Sequence, residues 1–342
     1  MPLALSRKLP TSSQRVAAVA TATSDLVFHH HKPQNPSSTF ISTSSFFTPG
    51  NNTPVSRPLT HARTTACCTQ AHHRSLFQQF IPGAIANMST MPAQHGHSVA
   101  CCNIPPVVAK GYSAKGTYEE LGGYKTYITG PQEATKGIIV IFDIFGYFPQ
   151  TLQGADILAT ASDAQKYKVF IPDWFHGEPC PIEWFPPDNE DKKKKLGAFF
   201  QKNSPPSVAA KVPDYAKAVS AKYPEIKDWA ILGYCWGGKV VSLVTSNPDT
   251  VFKAGVECHP AMVDPADAAK IKVPLALLAS KDENPADVEQ FEKNLTGPKH
   301  VETFPDQIHG WMAARSNLED ERVKAEYVRG YETVLKFLAQ YV

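Results

Sequence analysis

The stretch Ala230-Ile-Leu-Gly-Tyr-Cys-Trp-Gly-Gly-Lys239 decides the fold of this 342-residue chain. The apolar run Trp229–Leu232 has the length and composition of a buried strand, and a helix is predicted from Trp236. Between them lies Gly233-Tyr234-Cys235-Trp236-Gly237, a cysteine flanked by glycines at the junction. Such a turn strains its central residue and packs too closely for a neighbouring Cβ, which explains both glycines. We therefore predict that Cys235 projects at the carboxyl end of a sheet and the amino end of a helix, where a thiolate is favoured.

A G-x-C-x-G turn between strand and helix is typical of the nucleophile elbow of α/β-hydrolases, with cysteine in the serine position. The motif alone is weak, because two loop or core glycines around a buried cysteine would look the same. A preceding strand, a following helix, and an acid and a histidine downstream favour the catalytic interpretation.

The surrounding sequence predicts a mostly parallel central sheet flanked by helices on both faces. Gly137–Phe142 is a continuous apolar run, Leu152–Ala164 has helical spacing, and Lys168–Ile171 is the next strand. This strand-helix-strand order indicates βαβ units. Tyr124–Thr129 alternates like an edge strand. The fold class that we predict is α/β, with an α/β-hydrolase fold, over residues 100–342.

The same region resembles the dienelactone hydrolase family. The matching stretches are Ile138–Gly146, Tyr167–Phe175, Gly233–Lys239, Leu278–Asp282 and Ile308–Arg315. The resemblance covers roughly residues 100–342 and leaves out the first ninety or so. It implies an α/β-hydrolase domain that cleaves small esters or lactones with a Cys-His-Asp triad and needs no metal or organic cofactor.

A cysteine nucleophile needs a base, since the thiolate is the attacking species. The histidines from Gly111 onward are His176, His259, His300 and His309. His309 is the best candidate, because it follows the last predicted strand and Gly310 permits a tight loop. His300 opens that strand at the opposite edge of the sheet, and we expect His259 to line the pocket.

The acid is expected after Leu275–Ser280, the strand that precedes the histidine. Asp282 holds that position and aligns with the family's aspartate, while Glu283 is the reserve candidate. The resulting order of Cys235, Asp282 and His309 matches that of α/β-hydrolases. Asp282 would fix the imidazole tautomer and stabilise its protonated form.

An oxyanion hole needs backbone N–H donors, which we assign to Trp236 and to Ile144 in the loop after Gly137–Phe142. In the dienelactone hydrolase family a glutamate of this loop contacts the resting cysteine. This chain has Asp143, one methylene shorter. Asp143 could take over that role, or it could only cap the following turn.

A predicted aromatic mouth favours a flat, apolar or unsaturated substrate, although core aromatics would look similar. The candidate substrate-binding residues are Asp143, Phe145, Tyr147, Trp174, His259, Trp311 and Arg315. Arg315 could bind a substrate carboxylate, but its spacing from His309 differs from that of the bacterial family members.

Residues 1–95 form a basic leader rich in serine and threonine, and Asp25 is the only acidic residue in the first ninety. This composition suits a mitochondrial transit peptide. A disordered tail or an upstream-extended gene model, with Met88 or Met91 as the true start, remains open. The predicted location is therefore cytoplasmic or mitochondrial.

Composition limits the partners. A net charge of +2 indicates no nucleic acid, and no apolar run is long enough to span a membrane. Seven cysteines, two pairs of them adjacent, do not resemble a disulfide framework and favour a reducing compartment. His95, His97, Cys101 and Cys102 lack the spacing of a metal site.

The sequence thus predicts a hydrolase that cleaves small esters or lactones through an acyl-cysteine, as a monomer or weak homodimer. Thioester or amide hydrolysis by the same triad is one alternative. The other is a redox-responsive or binding protein that retains the elbow cysteine and hydrolyses nothing.

Overall fold

A computed structural model describes residues 111–160 and 165–342, which form an eight-stranded sheet with packed helices. The strands are β1 (Thr117–Leu121), β2 (Tyr124–Thr129), β3 (Lys136–Ile141), β4 (Tyr167–Pro172), β5 (Asp228–Tyr234), β6 (Ala254–Cys258), β7 (Leu275–Ser280) and β8 (Lys299–Phe304). The helices are α1 (Pro149–Thr160), α2 (Glu190–Lys202), α3 (Pro205–Ala209), α4 (Val212–Lys222), α5 (Trp236–Thr245), α6 (Pro265–Ala268), α7 (Pro285–Asn294) and α8 (Glu321–Tyr341). A 3₁₀ turn spans Ile182–Trp184. The leader predicted over residues 1–95 lies outside the described residues.

The sheet has the strand order β1-β2-β4-β3-β5-β6-β7-β8. From β4 to β8 every neighbouring pair is parallel, whereas β1 and β2 are antiparallel additions. The predicted α/β class with a mostly parallel sheet is therefore confirmed.

The central strands are continuous apolar runs because they are covered on both sides. Val140, Leu232 and Leu277 are each at most 1% exposed. Parallel strands bring their carboxyl ends to one edge, so the loops after β3, β5, β6 and β7 meet there. Those loops carry most of the residues singled out from the sequence.

The prediction that Tyr124–Thr129 is an edge strand is wrong. β1 pairs with its outer side in antiparallel register, for example Thr117 with Ile128. The sequence of β1, Thr-Tyr-Glu-Glu-Leu, is largely exposed and lacks the apolar alternation that identifies a half-buried strand. Charged residues on a short outermost strand also discourage pairing with another chain.

The lysine run in α2 belongs to a solvated face. Lys192, Lys193 and Lys195 pair with Asp188, Glu190 and Asp191 at 3.1, 2.7 and 2.7 Å. These carboxylates compensate most of the local positive charge. In the described ranges, no helix combines the length and the apolar character needed to cross a membrane.

Candidate active site

Cys235 occupies the turn between β5 and α5 with φ 53° and ψ −113°. This left-handed backbone is strained for a residue with a Cβ. A Cβ on Gly233 would lie 2.2 Å from the Gly237 carbonyl oxygen, and one on Gly237 would lie 2.3 Å from that of Ile141. Both glycines are therefore required, and the sharp turn predicted from the sequence is present.

Two hydrogen bonds fix the elbow against the end of β6. The Cys235 N–H donates to the Cys258 carbonyl at 3.1 Å, and the Ala261 N–H donates to the Cys235 carbonyl at 2.9 Å. Cys235 is fully buried, with none of its surface exposed. Cys235 is thus held by backbone contacts in a site from which bulk solvent is excluded.

His309 lies in the loop after β8 and is also fully buried. Its Nδ1 is 2.6 Å from the Glu283 carboxylate oxygen Oε1. The other oxygen of Glu283 accepts the Ser280 N–H. A carboxylate anchored by a backbone donor and directed at Nδ1 fixes both the ring orientation and its tautomer.

Asp282 does not take the role assigned to it from the sequence. Its Oδ2 accepts the backbone N–H of His309 at 2.8 Å, and its own N–H donates to the Ser280 hydroxyl at 3.2 Å. The acid that contacts the ring is the reserve candidate Glu283, whose longer side chain reaches the imidazole. Asp282 instead holds the backbone of the histidine loop.

Stacked rings connect the histidine loop to the elbow. His259 lies parallel to Tyr234, which precedes the nucleophile, with ring centroids 5.8 Å apart. The His259 ring meets the His309 ring edge-on at 5.4 Å. His259 is fully buried. It lies beside the candidate site, where it packs between the Cys235 turn and the histidine loop.

Asp143 joins the loop after β3 to the histidine loop. Its two oxygens accept the N–H groups of Phe145 at 2.9 Å and Ala314 at 3.2 Å. Burial raises the pKa of this carboxyl to about 6, against the opposing effects of those N–H groups, Arg315 and His309. Asp143 therefore caps the turn after β3, which is one of the two roles predicted for it, and also binds the histidine loop.

Arg315 is buried rather than presented on a pocket surface, with 1% of its surface exposed. Its guanidinium carbon lies 5.2 Å from the Phe145 ring centroid and 5.8 Å from that of Phe185. Its charge also lowers the pKa of the Asp143 carboxyl. In this conformation Arg315 stabilises the packing of the two loops.

The remaining predicted aromatics are dispersed. Tyr147 donates its hydroxyl to the Lys125 and Ile171 carbonyls and, together with Phe145, lines a cavity of about 550 Å³. Trp174 packs against the ring of Tyr124, at a centroid distance of 4.8 Å. Trp311 packs against Phe304 at 4.4 Å. The predicted aromatic mouth is therefore not a single surface.

The C-terminal helix supports the site from behind. The Tyr331 hydroxyl donates to the Met312 carbonyl at 2.9 Å and lies 2.8 Å from the Tyr234 hydroxyl. Met312 belongs to the histidine loop, and Tyr234 directly precedes Cys235. This network has no signal in the sequence, because Tyr331 lies 19 positions from Met312 and 97 from Tyr234.

Within residues 111–160 and 165–342, no group of three or more histidine, cysteine or acidic side chains is arranged to hold a metal ion. His95, His97, Cys101 and Cys102, whose spacing argues against a metal site, lie outside these ranges.

The fold and this site define an α/β-hydrolase, and comparison with known proteins gives the family. The sequence profile of the dienelactone hydrolase family matches residues 124–342. The chain belongs to the dienelactone hydrolase family and is a hydrolase. A dienelactone hydrolase from Anabaena variabilis has the same fold, with a TM-score of 0.50, 14% identity, and coverage of 67% of this chain and 98% of the other.

Curated relatives extend the match along almost their whole length. An uncharacterized AIM2 family protein of Schizosaccharomyces pombe is 35% identical, covering 67% of this chain and 92% of its own. A carboxymethylenebutenolidase homolog of Xenopus tropicalis is 26% identical, covering 68% of this chain and 93% of its own.

Proposed function

We propose that this hydrolase cleaves carboxylic esters or lactones of small molecules through an acyl-cysteine formed on Cys235. The observation that supports the proposal most is the strained Cys235 backbone between two glycines that tolerate no Cβ. Natural proteins retain such strain chiefly at functional sites. His309, in the loop after β8 and paired with Glu283 after β7, supplies the base that this chemistry needs.

In the first half-reaction, His309 takes the proton of the Cys235 thiol through Nε2 while the sulfur attacks the substrate carbonyl carbon. The carbonyl π electrons move onto oxygen, which accepts hydrogen bonds from the proposed donors, the backbone N–H groups of Trp236 and Ile144. Collapse of this intermediate expels the alcohol oxygen, which takes the proton from His309. The product of this step is a thioester on Cys235.

In the second half-reaction, His309 removes a proton from water, which attacks the thioester carbonyl. Collapse breaks the carbon–sulfur bond, and the thiolate recovers its proton from His309 as the carboxylic acid leaves. Glu283 keeps the proton of the neutral ring on Nδ1 and stabilises the imidazolium in both steps. Asp282 positions the histidine loop through the His309 N–H.

The position of the elbow supports the proposed oxyanion hole. Gly237 approaches the carbonyls of Ile141 and Phe142 so closely that a Cβ would lie 2.3 and 2.9 Å from their oxygens. The start of α5 and the loop after β3 are therefore in direct contact. The N–H groups of Trp236 and Ile144 belong to these two segments.

Similarity to the carboxymethylenebutenolidase homolog of Xenopus tropicalis favours an unsaturated lactone as one substrate class. The test uses purified full-length protein and a panel of aryl esters, lactones, thioesters and amides. Cys235→Ala should lower kcat/KM for the best substrate by at least about 1,000-fold, since the covalent route is lost. Cys180→Ala changes another buried cysteine and serves as the control. Undiminished turnover by Cys235→Ala would refute the proposal.

A further inference from the structure

A cavity of about 650 Å³ lies between α2, α3 and the loop that follows β6. Its lining includes Phe200, Ser204, Pro205, Lys239 and Met262. This volume falls within the range of about 300–1,000 Å³ of pockets that hold small molecules. None of the residues proposed for catalysis lines this cavity. Its position relative to the candidate site is therefore given by the contacts of the residues that form its walls.

Two walls of the cavity are hydrogen-bonded to the elbow. The Trp236 indole N–H donates to the Asn203 carbonyl at 2.9 Å, and Ser204 is the next residue. The Ala261 N–H donates to the Cys235 carbonyl at 2.9 Å, and Met262 is the next residue. The cavity therefore lies directly beside the turn that carries the nucleophile.

The chemistry of the lining indicates an apolar occupant. Phe200, Pro205 and Met262 contribute hydrocarbon and thioether surface. The one charged group, Lys239, is compensated: its Nζ lies 2.5 Å from Asp267 and 3.6 Å from Asp264. A lysine that is already paired with two carboxylates has little capacity to bind an anionic ligand.

Met262 lines the cavity and directly follows Ala261, whose N–H donates to the Cys235 carbonyl. The backbone of Met262 is left-handed, with φ 59°. Its unbranched side chain has three rotatable bonds and adapts readily to a changing shape. Cys235 is fully buried, so a substrate reaches it only when neighbouring side chains move. Rotation of the Met262 side chain would join the cavity to the elbow without a change of fold.

We propose that this cavity binds the hydrocarbon part of the ester and that Met262 controls its size, so that the enzyme prefers medium-chain over short-chain esters. The proposal rests on the esterase function proposed above. The hydrocarbon could belong to the acyl or to the alcohol part of the ester, and paired probes distinguish the two.

The binding test uses full-length Cys235→Ala, with ethyl octanoate, octyl acetate and ethyl acetate as probes in titration calorimetry. Each buried methylene strengthens binding by roughly a factor of four, so the octyl-containing ester that fits should bind at least about 100-fold more tightly than ethyl acetate. Adding Met262→Trp should weaken the binding of that ester by about tenfold or more, because the larger ring fills the cavity. Adding Val328→Trp instead, at an exposed position on α8, should not weaken it.

The kinetic test compares p-nitrophenyl octanoate with p-nitrophenyl acetate in the protein that retains Cys235. Met262→Trp should lower the octanoate-to-acetate ratio of kcat/KM by about tenfold. Val328→Trp introduces the same indole ring at an exposed position on α8 and should leave the ratio unchanged. If Met262→Trp does not fold, Ser204→Phe fills the cavity from another lining position. This substitution removes no capping hydrogen bond, since the Ser204 side chain makes none.

The two proposals fail in different ways. If both esters are hydrolysed but the filling variants leave the affinity and the ratio unchanged, the cavity assignment is overturned and the esterase stands. If no ester is hydrolysed while octyl-ester binding still depends on residue 262, the esterase proposal fails and the cavity remains an apolar binding site.

Discussion

Two adjacent acidic residues, Glu283 and Asp282, contact different parts of His309. Glu283 is 2.6 Å from Nδ1 of the ring, whereas Asp282 accepts the backbone N–H of the same residue. Glu283→Gln preserves the shape but replaces the anion, so it should reduce kcat by about 10³- to 10⁴-fold, as loss of a triad acid does. The measurement is steady-state hydrolysis of the best aryl ester.

Asp282→Asn is the matched comparison for this prediction. Its amide oxygen can still accept the His309 N–H, so kcat should fall by less than about tenfold. A larger loss in Asp282→Asn than in Glu283→Gln would return the catalytic acid to the position first predicted from the sequence.

At this scale the sequence indicates the proposed nucleophile and base but not the acid that contacts the ring. Cys235 lies between two glycines, and His309 follows a strand, so each has a local signal. Asp282 and Glu283 both follow β7, and which one reaches the ring depends on side-chain length and on the Ser280 N–H that anchors Glu283. That choice is made by tertiary contacts.

At the scale of elements, α8 sets the separation of the elbow and the histidine loop through Tyr331. Tyr331→Phe leaves the Met312 carbonyl without this donor and should lower the free energy of unfolding by about 1–3 kcal/mol. It should also reduce kcat more than it changes KM, because the reacting groups move relative to each other.

Chemical denaturation and ester kinetics measure both effects. Tyr223→Phe is the control, since its hydroxyl makes only a long 3.5 Å contact with Glu119. An unchanged stability and kcat in Tyr331→Phe would show that α8 does not position the site.

Glu257 on β6 should make the free energy of unfolding depend on pH. A carboxyl oxygen of Glu257 accepts the Ser242 hydroxyl of α5 at 2.5 Å, and burial raises the pKa of this carboxyl to about 8 from 4.5. Between these values the folded state binds more protons than the unfolded state. Its contribution to stability is therefore largest below about pH 4.5 and is lost as the pH rises through about 8.

Glu257→Gln keeps the acceptor for Ser242 but cannot ionise. The wild type should lose about 2–5 kcal/mol relative to this variant between pH 5 and pH 8.5, measured by denaturation at each pH. Parallel stability curves for the two proteins would contradict the assignment of a neutral Glu257.

Among the elements, those with strong apolar periodicity were predictable and the others were not. β7 has the bounds Leu275–Ser280 that its uninterrupted apolar run predicts. β1 was missed because its exposed, charged residues carry no such signal, although it displaces β2 from the edge. A local sequence pattern can predict that a strand forms. Which strand it pairs with depends on contacts between distant segments of the chain.

At the scale of the whole molecule, the motifs predicted the fold and the family but not the shape of the binding region. The catalytic loops meet because parallel strands end at one edge, which follows from the strand pattern. The cavity beside Met262 is formed by α2, α3 and the loop after β6, whose mutual packing has no local signature. The dispersal of the predicted aromatic mouth has the same cause.

The central claim is that Cys235 becomes acylated during turnover. The most direct measurement is intact-protein mass spectrometry of the full-length protein, quenched in acid within milliseconds of mixing with a p-nitrophenyl ester. We predict a mass increase equal to one acyl group, mapped by digestion to Cys235, in the wild type and none in Cys235→Ala. Ester hydrolysis that proceeds without a Cys235 adduct, at the same rate in both proteins, would contradict the account.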